Sequence, residues 1–351
     1  MEVETNTEID YGDDTWNPPN DVPTISDAVR IISFVLTAIT CVTGLVGNSV
    51  VIIVTGSNLK LKEHRNTIWF LAMALADFLF LLWLPLNAIA EWTGYWPFGP
   101  LLCKLNNFLL TNNMYTNIFI LMALNINCLL SVTHPRWQHK LFASHACYLT
   151  CAFIWGISVL SSLPVLFLHD QFTNEDAIEC RLFNMEQPRS VHVWSNPIER
   201  SEDEFLYISE AVSESPEFAL DSSGIVWSDR VTDSSFNARH AAISFVLIGY
   251  LIPLLVLLSS DIIVALRKSQ FKNAKSMTLY RMLIWLILVF YITWTPLVTA
   301  KIILLIVAHI PNTLLVSAIY RIKPLLYSIA QANISLKLIV YVLYAKKTTA
   351  S

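Results

Sequence analysis

Charged side chains stand inside otherwise apolar stretches of this chain, among them Asp77, Asp261, Arg321 and Lys323. An ionised group at mid-membrane costs about 2.5–3.5 kcal/mol even on the mild insertion scale, so such residues mark ion paths, internal pairs or ligand contacts. Asp77 and Asp261 are the only acids deep within apolar runs, and intramembrane aspartyl hydrolysis would need both at one depth. No other chemistry finds its motif. Cys-x-x-Cys, His-Glu-x-x-His and a phosphate-cradling glycine loop are all missing, and the eight histidines are scattered over loops and ends. The sequence therefore offers no catalytic residue, metal set or cofactor cradle, and no basic stripe for nucleic acid.

These charges need elements to position them. Only 14% of the 351 residues are charged and 54% are hydrophobic, against roughly 25% charged in a soluble domain. Apolar runs at 29–56, 67–91, 101–133, 146–168, 240–266, 282–308 and 312–331 approach or exceed the roughly 20 residues that cross a bilayer as a helix. The expected fold is an all-α membrane protein, a seven-transmembrane-helix bundle over 29–331, with 1–28 as an acidic tail and 332–351 as a short cytoplasmic tail. The last run is the weakest, because Arg321 and Lys323 interrupt it.

Lysine and arginine set the orientation. Lys60, Lys62 and Arg65 follow the first run, Arg136 and Lys140 occupy the loop 134–146, Arg267, Lys268, Lys272, Lys275 and Arg281 follow the fifth, and Lys337, Lys346 and Lys347 follow the seventh. Residues 1–28, 92–100 and 309–312 hold none. The amino terminus is expected outside a plasma membrane crossed several times, and the first run reads as an uncleaved signal anchor.

Of the 27 acidic residues, eight lie in 1–28 and 15 in the long outside loop 169–239. An acidic exterior draws in cationic partners; equally, such runs keep a loop solvated. Within that loop, residues 195–235 are poor in apolar residues and show no period, so mostly disorder is expected. Tyr11 and Tyr207 sit among acids, a setting suited to tyrosine sulfation, with Tyr11 the stronger candidate. Cys41, Cys128, Cys147 and Cys151 fall within the runs and read as buried free thiols. Cys103 and Cys180 both face the oxidising side and form the expected disulfide, which would pin the long loop across the mouth of the bundle.

Several strings resemble rhodopsin-type (class A) G-protein-coupled receptors: "GLVGNSVVI", "LAMALADFLFLLWLP", "YWPFG" running into "LCKLNNFLLTNNMYTNIFIL", Trp155, "GYLIP", "FYITWTP" and "KPLLY". The wording is most similar to the chemoattractant branch, above all the chemerin receptors, then the complement anaphylatoxin and formyl-peptide receptors. That resemblance implies a receptor for a peptide or small protein, chemerin-like or anaphylatoxin-like, acting in chemotaxis and inflammation through a heterotrimeric G protein and arrestin. Lys301 and Arg239 become the candidate cationic contacts for an acidic ligand group, although both could instead snorkel to lipid headgroups. Trp294 would line the pocket floor, and Phe245 stands where the chemerin and formyl-peptide receptors carry an arginine.

The departures matter as much. Asn127 and Cys128 stand where the family has the Asp-Arg of its G-protein-facing motif, and Asp261 stands where it has tyrosine. Lys323-Pro324-Leu325-Leu326-Tyr327 takes the place of Asn-Pro-x-x-Tyr, which makes Tyr327 the expected end of that motif. Two readings follow, a signalling receptor and a silent scavenger that binds and internalises its ligand. From another class, the intramembrane charges would also suit an ion channel or transporter. In the family, the counterpart of Asp77 helps hold a sodium ion. Here Lys323 is expected to supply that charge as an ion pair with Asp77, with Asn48, Asn113 and Asn117 lining the polar pocket.

Overall fold

A computed structural model describes residues 26–57, 65–141, 144–174, 177–182, 218–220, 226–228, 242–267, 269, 274–307 and 313–349. Among the described residues, seven helical spans are long and apolar enough to cross a membrane: Asp27–Gly56, Thr67–Thr93, Gly99–Thr133, His145–Phe167, Ala242–Leu266, Met277–Ile306 and Ala318–Tyr344. Lipid leaves no water for exposed peptide groups, so each crossing closes its hydrogen bonds within its own helix.

Local sequence explains where the helices bend. The second span is two helices, Arg65–Leu81 and Leu84–Thr93, broken just before Pro85, whose ring carries no N–H to continue the ladder. Gly94 then ends it in the left-handed region at φ 81°, with its N–H on the carbonyl of Ala90. The third span opens at Gly99-Pro100 and runs through the centre, burying Leu110, Met114, Ile118, Leu121 and Leu124 among the other helices. In the fifth span, residues Leu247–Leu251 form a π-helical turn, and Gly249 there faces Met114 and Tyr115 with no room for a side chain. The core is completed by Trp69, Phe80, Tyr115 and Phe290, all at or below 2% exposure.

The seventh span corrects the sequence reading. It was expected at 312–331 with a cytoplasmic tail from 332; helices Thr313–Gln331 and Asn333–Thr349 instead place the crossing at Ala318–Tyr344. Arg321 and Lys323 lie near its start, Arg321 exposed, Lys323 half-buried with its ammonium 5.7 Å from the ring of Tyr320. Small residues on the first span admit the seventh closely: Gly44 faces Ile334 and Leu81, and Gly47 abuts Leu338. Ser328, fully buried, lies 3.0 Å from the hydroxyl of Thr37 and donates to Glu91 at 3.1 Å, so spans one, two and seven share a polar seam.

Among the described residues, two short hairpins accompany the bundle. His169–Asn174 pairs antiparallel with Ala177–Leu182, and Phe218–Leu220 pairs with Val226–Ser228. The second hairpin lies within 195–235, for most of which disorder is expected; the other residues of that stretch lie outside the described residues. Cys103, at the start of the third span, is bonded to Cys180 on the first hairpin, with Cα atoms 5.6 Å apart. This marks the bridged end of the bundle.

Candidate functional site

Just inside the bridged end is a small cavity of about 30 Å³, lined by Asn107, Thr111, Phe245, Trp294, Lys301 and Tyr327 among others. Phe245 comes from the fifth span, Trp294 and Lys301 from the sixth; two helical turns separate the latter pair, so the ammonium sits above the indole. Lys301 Nζ lies 4.7 Å from the centroid of Phe245, a cation–π contact. Phe245 in turn stands 6.4 Å from Trp294, which stacks on Phe290 at 5.9 Å. Among the described residues no carboxylate reaches Lys301. Asn107 donates its amide to the carbonyl of Cys103 and to Cys180 Sγ, at 3.0 and 3.1 Å, so the cavity wall is tied to the bridge.

Tyr327 was expected at the opposite, G-protein-facing end. It lines this cavity instead, because the seventh span begins later than its hydropathy implied. Arg239 and the sulfation candidates Tyr11 and Tyr207 lie outside the described residues.

Midway along the bundle is a buried charge network. Asp77 Oδ2 accepts from Lys337 Nζ at 2.7 Å, with side-chain exposures of 3% and 1%. Asp77 Oδ1 accepts from the amides of Asn113 and Asn117 at 3.0 and 2.9 Å, and Lys337 also donates to Asn117 Oδ1 at 2.6 Å. The expected Asp77–Lys323 pair is therefore overturned: the partner is Lys337, because Lys323 stands near the bridged end of the span, between three and four helical turns away. Asn48 does not reach Asp77 either; its amide bonds the carbonyl of Gly44 in its own helix at 2.9 Å. A sodium ion does not fit these residues. All three groups facing the carboxylate are donors already bonded to it, and one of them is a cation.

The sequence profile of the seven-transmembrane receptor family of rhodopsin type matches residues 47–198. Chemerin-like receptor 1 of Mus musculus is 28% identical over 312 residues, covering 88% of this chain and 74% of that receptor. Its Homo sapiens counterpart is 27% identical over 349 residues, 96% and 83% of the two chains. The C3a anaphylatoxin chemotactic receptor of Mus musculus is 34% identical over 165 residues, 47% of this chain and 34% of that one. Over residues 47–198 the chain is similar to the rhodopsin-family receptors. It is not an enzyme.

At its far end the chain differs from the motif of the rhodopsin-type receptors it resembles, in structure as well as in letters. Cys128 is buried at 5% exposure. Asn127 Oδ1 accepts from Gln138 Nε2 at 2.8 Å, which fastens the short helix Pro135–Leu141 to the third span. Asp261 accepts from Asn125 Nδ2 at 2.8 Å, and its backbone carbonyl accepts from the hydroxyl of Tyr280 at 3.3 Å. Tyr341, not Tyr327, stands four residues beyond the intramembrane lysine, its ring 5.4 Å from Phe70. Sequence reasoning missed Lys337, Tyr341, Asn125, Gln138 and Asn107. For the first two a signal existed: Lys337-Leu-Ile-Val-Tyr341 has the spacing of Asn-Pro-x-x-Tyr without its proline.

Proposed function

We propose that this receptor binds an extracellular peptide or small protein at its bridged end and is of the chemoattractant type, with an anionic ligand group docking on Lys301. The observation that supports this most is the ammonium of Lys301 over Phe245. The arginine that chemerin and formyl-peptide receptors carry at the position of Phe245 is lost, but a cation returns to the same spot from the neighbouring helix. An aromatic ring holds it in place without neutralising it, so its charge stays available to a ligand. In this reading the amino terminus and the acidic loop 169–239 face outside and speed the capture of a ligand with a basic surface. The opposite end meets a heterotrimeric G protein or arrestin, in a plasma membrane.

The test is binding of labelled chemerin peptide, C3a and a formylated peptide to cells displaying the receptor and its Lys301→Ala variant. Loss of one charge-assisted contact is expected to weaken binding by about 10–100-fold, the equivalent of roughly 1.5–3 kcal/mol. Unchanged affinity in the variant removes Lys301 from the site. Failure of every probe to bind the parent removes the ligand class.

One observation favours the scavenging reading alongside it. Where the family places its arginine there is a buried thiol, and the neighbouring Asp261 is engaged by Asn125. A ligand shifts a two-state bundle only by binding one state better, and here the signalling state lacks the cation that would meet its partner. Ligand uptake without G-protein dissociation is the expected signature. The channel reading finds no support in Asp77 and Lys337, which are buried and satisfy each other.

A further inference from the structure

We infer that Lys337 is a tethered cation that takes the place of a diffusible one: it neutralises Asp77 permanently, fastens spans two, three and seven into one unit, and leaves the receptor indifferent to sodium.

The geometry carries each part. Asp77 is on the second span, Asn113 and Asn117 on the third, and Lys337 on the seventh, so the four polar contacts at 2.6–3.0 Å cross all three helices. Both charges are almost fully buried, at 3% and 1%. Each is left uncompensated if the other is removed, which makes the pair far more costly to break than an exposed one. The packing around Lys337 supports its depth. On its amino-terminal side Ile334 packs on Gly44; next to it Leu338 abuts Gly47; and one turn further Tyr341 packs on Phe70, with its hydroxyl 4.0 Å from Met73 Sδ. The ammonium is therefore held by packing on both sides as well as by its own bonds.

A free ion and a tethered ammonium differ in one respect. An ion can leave when the helices rearrange, and its release is then coupled to the change of state. An ammonium on a lysine stem cannot leave, so any movement of the seventh span must either carry Asp77 and Asn117 with it or strand two charges in the membrane interior. Rearrangement at the far end is thus opposed through the seventh span.

This does not rest on the ligand reading, and the experiment needs no ligand. Thermal melting of the purified receptor is measured in sodium chloride and in choline chloride at equal ionic strength, for the parent, Asp77→Asn, Lys337→Asn and the double variant. The parent is expected to melt at one temperature in both salts. Each single variant should fall by about 5–10 °C, and the double variant should recover most of that loss. Lys337→Asn alone, which keeps the carboxylate and loses the ammonium, should acquire a stabilising response to sodium that the double variant lacks. A sodium-specific shift in the parent overturns the inference, as do additive losses in the double variant. Should Lys337→Asn fail to fold in either salt, the parent and the double variant still decide the matter.

Discussion

Replacing Cys103 and Cys180 together by serine is expected to lower the stability of this receptor by about 2–4 kcal/mol and to abolish ligand binding. The bridge closes a separation of 77 residues. In the chain-entropy account, a loop that long withdraws roughly 4–5 kcal/mol of freedom from the unfolded ensemble. The local consequence weighs as much. Asn107 holds Cys180 Sγ and the carbonyl of Cys103 while lining the cavity beneath Lys301, so severing the bridge frees the hairpin and loosens that wall at once. Binding should therefore fail in variant molecules that still reach the surface. Melting of the purified double variant and probe binding on intact cells check the two halves separately. A melting temperature equal to the parent's, or a free thiol at Cys180 in non-reduced peptides of the parent, defeats the prediction.

That bridge was legible in the sequence because compartment alone singles out two cysteines on the oxidising side. Six spans were legible for a similarly simple reason, since lipid tolerates only long runs of apolar helix and those runs are uninterrupted. The seventh was misplaced by its own chemistry. Hydropathy charges Lys337 the full cost of a cation in lipid, while the molecule offsets that cost with a carboxylate 260 residues earlier in the chain, which no local window sees. Pro324 compounded the error by giving Lys323-Pro324 the look of the family motif, whereas the real register carries leucine at the proline position. The site failed to read out where it is assembled across helices. Lys301 and Phe245 are individually visible in the sequence, but that the ammonium of one covers the ring of the other follows only from how the fifth and sixth spans pack. Asn48 shows the converse: a polar residue in a suggestive string turns out to serve its own helix.

The far end yields the other large effect, a gain. Restoring the family's residues together, Asn127→Asp, Cys128→Arg and Asp261→Tyr, is expected to raise basal or ligand-driven G-protein activation by about tenfold, within the usual span of coupling energies. The structure shows why the arginine alone should not suffice. Asp261 stands beside this part of the third span, held by Asn125 three residues before Cys128. A guanidinium introduced at 128 beside that carboxylate would pair with it in a buried setting and bind the third span to the fifth more firmly than Asn125 now does. Cys128→Arg by itself should therefore express and stay silent. Changing Asp261 to tyrosine removes the competing carboxylate and releases Asn125, while aspartate at 127 still accepts from Gln138, so the short helix Pro135–Leu141 keeps its hold. The arginine is then free to meet a partner outside the bundle. Measured as G-protein dissociation at matched surface expression, the order should be triple variant above parent, with Cys128→Arg no better than parent. If the triple variant binds its probe and signals no more than the parent, the missing cation does not limit coupling, and the opposition from Lys337 in the seventh span becomes the stronger explanation.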